Sequence, residues 1–547
     1  MILDVVFVNG RFATLDPERP SATTLGVFNE MIVGLDAEVA NLAARRVIDL
    51  GGAHVVPGFH DAHHHLSARG AGLSCCDVST AAVASLDDLY GAVAKYAQAL
   101  GPDEWVVGTG YSDAALGSHP VREALDAAAG GRPVFLHHAS GHGGTLNSEA
   151  VRRISGDPDR LSDVDSGFVE RRPDGTVTGF VAERAVEPVN AILRPTTSAA
   201  FTRAIERACA AALADGLTSV TEPGVSGRVT GNGPADFAAY QALHDQKKLG
   251  LRVTVMPELP ALHRIPGTES DLPGFGLDLG IRSGLGDDWL RLGPVKIFSD
   301  GALTSRTAAL TCCYEHSAAK GVLHHDPDAL REAILSAHLA GWQIATHAIG
   351  DAAVGAVIDA YARAQAAFHR PDARHRIEHC GMTDQAAIGR MAELGLIPVP
   401  QGEFLTLSGD DYIDAVGPER AETLYRQRSF LEAGIEVPGS SDCPVVRGRP
   451  LDGIQALVRR RAPSGVILGP AERLTTAQAL RAYTYGSAYA EKSELRKGRL
   501  TRGRLADFTV LSDDLLAVSE EAISDLEIVA TVVGGQVRHG AANVRER

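Results

Sequence analysis

Eight short apolar runs, several of them closing on a polar or charged side chain, constrain this chain more than any other feature. They occupy residues 55–65, 217–222, 251–256, 294–298, 342–347, 375–379, 396–400 and 435–439. Stretches with helical spacing of apolar residues separate many of them, as at 200–213, 328–340 and 384–394. Strands alternating with helices in this way predict a parallel α/β domain, and eight of them predict a (β/α)8 TIM-like barrel. Such a barrel gathers its functional side chains at the carboxyl ends of its strands. Pro398, Pro400 and Pro438 weaken the strand reading of the last two runs, because proline removes a ladder donor.

Both chain ends have a different character. Val5-Val6-Phe7-Val8, Arg11-Phe12-Ala13-Thr14 and Met31 to Leu35 read as short strands, with Asn9-Gly10 as a hairpin signal. Residues 507–511 and 528–538 read the same way. The expectation is one small β-sandwich assembled from 1–55 and 500–547, flanking a barrel over 56–499. The gap from 66 to 200 is too long for a simple strand-to-helix connection and holds apolar runs of its own. It is expected to be an inserted subdomain after the first barrel strand, covering the barrel mouth.

The chain has 547 residues with a net charge of −16, which argues against a nucleic-acid partner. No run of about 18 apolar residues predicts a membrane span. Seven cysteines without Cys-x-x-Cys spacing argue against a disulfide framework, so a reducing cytoplasm is the expected location.

Within this frame Pro57-Gly58-Phe59-His60-Asp61-Ala62-His63-His64-His65 stands out. On an extended strand Asp61, His63 and His65 share one face, with His60 and His64 on the other. Two imidazoles on one face at a strand end are able to grip one metal ion. Lys296, His347, His379 and Asp442 follow, each expected at the carboxyl end of its own strand-like run. Hydrolytic metal binding needs neutral imidazoles and anionic oxygens with a position left for water, and this ordered set supplies them. The residues therefore predict a metal-dependent hydrolase.

The chain resembles the amidohydrolase superfamily, in particular its family 3 branch, which includes N-substituted formamide deformylases. The resemblance is carried by Pro57 to His65, Gly141-His142 through Asn147-Ser148, Asp174-Gly175 through Glu183, Val295 to Ala302 and Ser305-Arg306-Thr307-Ala308. The two later histidine segments, Ser441-Asp442-Cys443-Pro444, Arg473-Leu474-Thr475 and Gly503 to Phe508 complete it. It implies two divalent ions, usually zinc. His63, His65 and Asp442 would hold one ion, His347 and His379 the other, and Lys296 would bridge them as a carboxylated lysine. It also implies hydrolysis of an amide or N-substituted formamide by metal-activated hydroxide, with Asp442 as the catalytic proton carrier. A one-metal deaminase, a cyclic amidase and an inactive binding protein are the alternatives, and a homodimer is the expected assembly.

Four residues are candidates for substrate contact: Tyr111, His142, Asn147 and Arg306. Tyr111 stands where relatives often have Trp. Arg306 suits either an anionic substrate group or a structural carboxylate. Asp61 suits either a ligand histidine or a turn, and Glu222 a turn cap.

Overall fold

The protein is described here by a computed structural model that covers residues 2–80, 82–139, 143–164, 167–193, 197–227, 233, 235–266 and 274–546. Two units divide the chain: Met1–Leu66 with Ala208–Arg547, and Ser67–Arg207.

In the first unit both termini build a pair of sheets. One runs Arg545–Glu546, Val47–Asp49, Val5–Val8, Leu25–Phe28, Met31–Leu35 in spatial order. The other runs Gln536–His539, Ile528–Val533, Phe508–Leu511, His54–Pro57, Arg11–Ala13, Ser21–Ala22. Alternate side chains of these strands point inward, so Phe7, Phe12, Val55, Phe508 and Val532 form a shared core. The Phe7 and Phe508 rings meet edge to face at 4.8 Å. Asn9-Gly10 does not close a hairpin, because the strands on either side of it belong to different sheets. The hairpin lies instead at Asn29 and Glu30, where φ of 50° and 64° reverses the chain between Leu25–Phe28 and Met31–Leu35.

The remainder of this unit alternates parallel strands with helices. The strands are β1 (Phe59–Asp61), β2 (Leu217–Val225), β3 (Arg252–Pro257), β4 (Val295–Phe298), β5 (Ile344–Ala348), β6 (Arg376–His379) and β7 (Ile397–Val399). β1, β2 and β3 pair in parallel and continue to Leu290–Leu292; β4 to β7 form a second parallel sheet. A bridge between Glu258 and Lys296 joins the two sheets on one side. On the other, the chain after Val437 lies against β1, through Ala62 N to Gly439 O (2.9 Å) and Asp442 N to His63 O (2.7 Å).

Two expectations need correction here. The described residues form no closed eight-stranded ladder, because 435–439 is extended without strand pairing. Pro438 has no N–H to give, and Gly439 packs directly on the Tyr483 ring. The first run is also not one strand. His54–Pro57 belongs to one of the two terminal sheets and β1 to the parallel sheet with β2 and β3, with the break at Gly58. A Cβ at Gly58 would sit 2.2 Å from Thr218 Oγ1, so only glycine allows β1 to approach β2. Buried Arg252 ties the two parts together, its guanidinium donating to Asp507 at 2.6 and 2.9 Å.

The second unit is built on a six-stranded sheet in the order Gly167–Arg171, Val177–Glu183, Gly143–Leu146, Val134–His138, Val106–Tyr111, Cys76–Asp77. The helix Leu86–Gln98, capped by Ser85, buries Leu89, Val93 and Ala97 in its core. The unit runs past residue 200 into the helix Ser198–Ala214, because Gly70 lies directly against the Ala204 backbone. None of the seven cysteines is disulfide-bonded. Among the described residues no helix is long and apolar enough to cross a membrane.

Candidate metal centre

The chain leaves β1 at Asp61, and the next four residues carry the histidines on irregular backbone. The simple alternation expected from a strand therefore fails. Asp61 bonds His64 Nδ1 (3.1 Å), although strict alternation puts the two on opposite faces. The same carboxylate accepts from His63 N (3.1 Å), Ser441 N (3.1 Å) and Ser441 Oγ (2.5 Å). Asp61 thus ties β1 to the Asp442 segment and bonds neither ring of His63 or His65.

His63 Nε2 and His65 Nε2 lie 3.2 and 3.0 Å from Asp442 Oδ1, and the donor atoms of all three fall within 4.8 Å of one another. Oδ1 has no hydrogen-bond partner among the described residues, so these approaches meet the distance but miss the geometry of hydrogen bonds. Lone pairs converging on one point without bonding each other are what metal ligands present before an ion joins them. Burial alone would raise the Asp442 carboxyl; the neighbouring His63 and His65 imidazoles hold it well below the usual carboxylate range. Burial pushes the His65 imidazole down against the pull of Asp442, which favours its neutral, ligating form.

The other candidates border this group. The His379 ring lies 5.1 Å from that of His63, and the His347 ring lies 4.4 Å from that of His379. His379 Nδ1 bonds Gln401 Oε1 (2.7 Å) and His347 Nε2 bonds Gly301 O (3.1 Å). Each ring therefore keeps its other nitrogen for a ligand. Burial, reinforced by His347, drives the His379 imidazole well below its ordinary value, so it stays neutral. His379 and Asp442 both adopt left-handed backbone, with φ of 67° and 62°. Non-glycine residues hold that conformation at a cost of about 1–3 kcal/mol, and such outliers gather at functional sites.

Lys296 is fully buried on β4, and its Nζ has no hydrogen-bond partner among the described residues. Burial pushes its pKa down to about 8, against the opposing charges of Glu378 and Asp442. Asp300 is not its counter-ion, because that carboxylate accepts from the backbone of Ala309, Ile349 and Gly350. An orphaned buried amine facing carboxylates and imidazoles fits a residue that completes its bonding with metal ions.

Several residues of the centre escaped the sequence reading. Glu378 is completely enclosed and accepts from His63 Nδ1 at 2.5 Å and from the Arg376 guanidinium at 2.8 and 2.9 Å. Burial would raise this carboxyl, but Arg376 and His63 hold it far below the usual range. A carboxylate behind a ligand histidine fixes the tautomer and raises ligand basicity. The only signal in the sequence was the alternation Arg376-Ile377-Glu378, which puts two opposite charges on one face of a strand.

The substrate candidates fare differently. The Arg306 guanidinium pairs with the Asp414 carboxylate at 2.6 Å, both side chains partly exposed. Asn147 is buried and caps the helix Ser148–Ser155. Its Oδ1 accepts from Ala150 N and Val134 N, and its Nδ2 donates to Arg132 O. These bonds commit its amide to the backbone. Tyr111 is buried in the core of the second unit, its hydroxyl within 2.9 Å of Thr145 Oγ1 and 3.1 Å of His119 Nδ1. His142 lies outside the described residues. Glu222 is buried and accepts from the Tyr240 hydroxyl.

Comparison with known proteins gives the family. The profile of the amidohydrolase family matches residues 46–539. An N-substituted formamide deformylase from Arthrobacter pascens is 28% identical over 555 residues, covering 98% of either chain. The Arabidopsis thaliana protein LONG AFTER FAR-RED 3 is 29% identical over 550 residues, covering 98% of this chain and 91% of the relative. The crystal structure of an uncharacterised metal-dependent hydrolase from Pyrococcus furiosus superposes with a TM-score of 0.74 at 28% identity, covering 94% of this chain and 99% of that one. The chain thus belongs to the amidohydrolase family, and is a hydrolase of carbon–nitrogen bonds.

Proposed function

We infer that this hydrolase uses two divalent ions, zinc being the best match to the donor set, to cleave an amide or an N-substituted formamide of a small molecule. The observation that carries the reading is the convergence of His63 Nε2 and His65 Nε2 on Asp442 Oδ1, beside a buried Lys296 Nζ; neither Oδ1 nor Nζ has a hydrogen-bond partner among the described residues. His63, His65 and Asp442 would hold one ion, His347 and His379 the second, with Lys296 carboxylated between them. The scaffold is read as a (β/α)8 barrel in which 437–443 takes the eighth place. The relative named N-substituted formamide deformylase, aligned over nearly the whole length, favours a formamide or related amide.

Ions bound there supply Lewis acidity, polarising a carbonyl and acidifying water. The chain's own residues do the rest. Glu378 and Gln401 keep the His63 and His379 rings in the tautomers that leave Nε2 free. Asp442 holds the proton lost by the attacking water, at whichever carboxylate oxygen no ion engages, and delivers it to the leaving nitrogen. A panel of N-formyl amines, N-acyl amines and cyclic amides, assayed alongside ion analysis, tests the reading. Release of an amine together with formate or another acid, abolished by chelation, is expected. Ammonia release from amidine substrates, or no turnover by a fully loaded chain, refutes it.

A further inference from the structure

The geometry points to Ser440 and Ser441 as the junction that positions both ends of the metal centre. Ser440 acts on His379 through Gln401, and Ser441 acts on the His63/His65 segment through Asp61. This rests on the two-ion reading above and adds positioning residues to it.

On one side, every hydrogen in the chain of bonds has a defined direction. Ser440 Oγ donates to Pro400 O (3.2 Å), so it accepts from Gln401 Nε2 (3.0 Å). The second hydrogen on that nitrogen goes to Val399 O (2.9 Å). With both donors spent, Gln401 Oε1 remains to accept, and its partner is His379 Nδ1 at 2.7 Å. A flipped amide would lose all three contacts, and Gln401 is fully buried, so no water replaces them. The His379 proton is therefore held on Nδ1, with the Nε2 lone pair left for an ion.

On the other side, Ser441 turns away from its neighbour, as successive residues of an extended chain do. Its hydroxyl and its N–H both reach Asp61, at 2.5 and 3.1 Å, and its Oγ accepts from Cys443 N at 3.0 Å. Asp61 in turn holds His63 N at 3.1 Å. Asp442 is the next residue, and its own N–H is fixed on His63 O at 2.7 Å. The Ser440-Ser441-Asp442 triplet thus joins a ligand to two chains of bonds, one leading to His379 and the other to the His63/His65 segment. Gln401, Ser440, Ser441 and Asp61 are positioning residues; none needs to touch substrate.

Ion stoichiometry by mass spectrometry and ion affinity by chelator competition test this on the full chain. Wild type is expected to bind two zinc ions. Gln401→Leu should keep one and bind the second about 10–100-fold more weakly. Gln401→Glu retains the acceptor facing His379 and should recover most of that affinity, which separates the tautomer role from packing. Ser441→Ala should weaken the ion at the His63/His65 end instead. The metal-free protein gives an independent readout, the His379 tautomer by nitrogen-15 NMR: Nδ1–H in wild type and Gln401→Glu, mixed in Gln401→Leu. Unchanged second-ion affinity in Gln401→Leu, or no tautomer preference in wild type, overturns the inference. A single zinc ion in wild type with the Nδ1–H tautomer intact overturns only the two-ion reading.

Discussion

Glu378→Gln removes one charge from a fully enclosed group while keeping its shape. The carboxylate makes three contacts: Arg376 Nε (2.8 Å), an Arg376 terminal nitrogen (2.9 Å) and His63 Nδ1 (2.5 Å). A glutamine with its oxygen in the Oε2 position still accepts from His63 and one arginine nitrogen. Its NH2 then faces Arg376 Nε, donor against donor. Arg376 has no exposure to water, so its charge is left uncompensated. Breaking a buried pair in this way costs about 3–5 kcal/mol. A unit of roughly 400 residues shifts its melting temperature by about 1 °C per kcal/mol. The metal-free variant should therefore melt about 3–6 °C below wild type by calorimetry. With the neutral amide behind His63, ion affinity should fall about 10–100-fold by chelator competition. A metal-free variant that melts with wild type and binds zinc equally well would refute the argument that this pair holds the His63 end of the site.

Three further outcomes are expected. Asp442→Asn should retain most of its bound metal, measured by mass spectrometry, and lose turnover by orders of magnitude; full activity would remove Asp442 from proton transfer. Lys296→Ala should lower the ion count below two per chain while leaving the fold intact by circular dichroism, and two tightly held ions in that variant would exclude a bridging lysine. Glu403 tests the linkage of charge to stability: burial and nearby Asp452 push its carboxyl up to about 8 from 4.5, and its Oε2 has no partner among the described residues. Between those values the unfolded chain has released the proton and the folded chain keeps it, so stability falls as pH rises through that window. Glu403→Gln should raise the melting temperature by about 4–5 °C more at pH 8 than at pH 4.5; parallel melting curves for variant and wild type across that range would refute it.

Much of the centre was legible because a strand end brings its last residues to the functional rim wherever the strand sits in the fold. Lys296, His347 and His379 could be singled out one by one from the runs that carry them, and Asp442 from its place just after the last run. The two chain ends pair in shared sheets for a similar reason: short alternating strands need partners, and neither end holds enough of them alone. Local pattern did not reach contacts made between distant segments. Asp61 finds Ser441, Glu378 finds His63 and Gln401 finds Ser440 only when the strands lie side by side, at sequence separations of 380, 315 and 39 residues. The same packing decided that the β1 histidines leave the strand before alternation applies, that Asn147 serves its own helix, and that Pro438 keeps the last segment out of the ladder. Residue type set which groups are able to bind metal; long-range packing decided which tautomers and distances they hold.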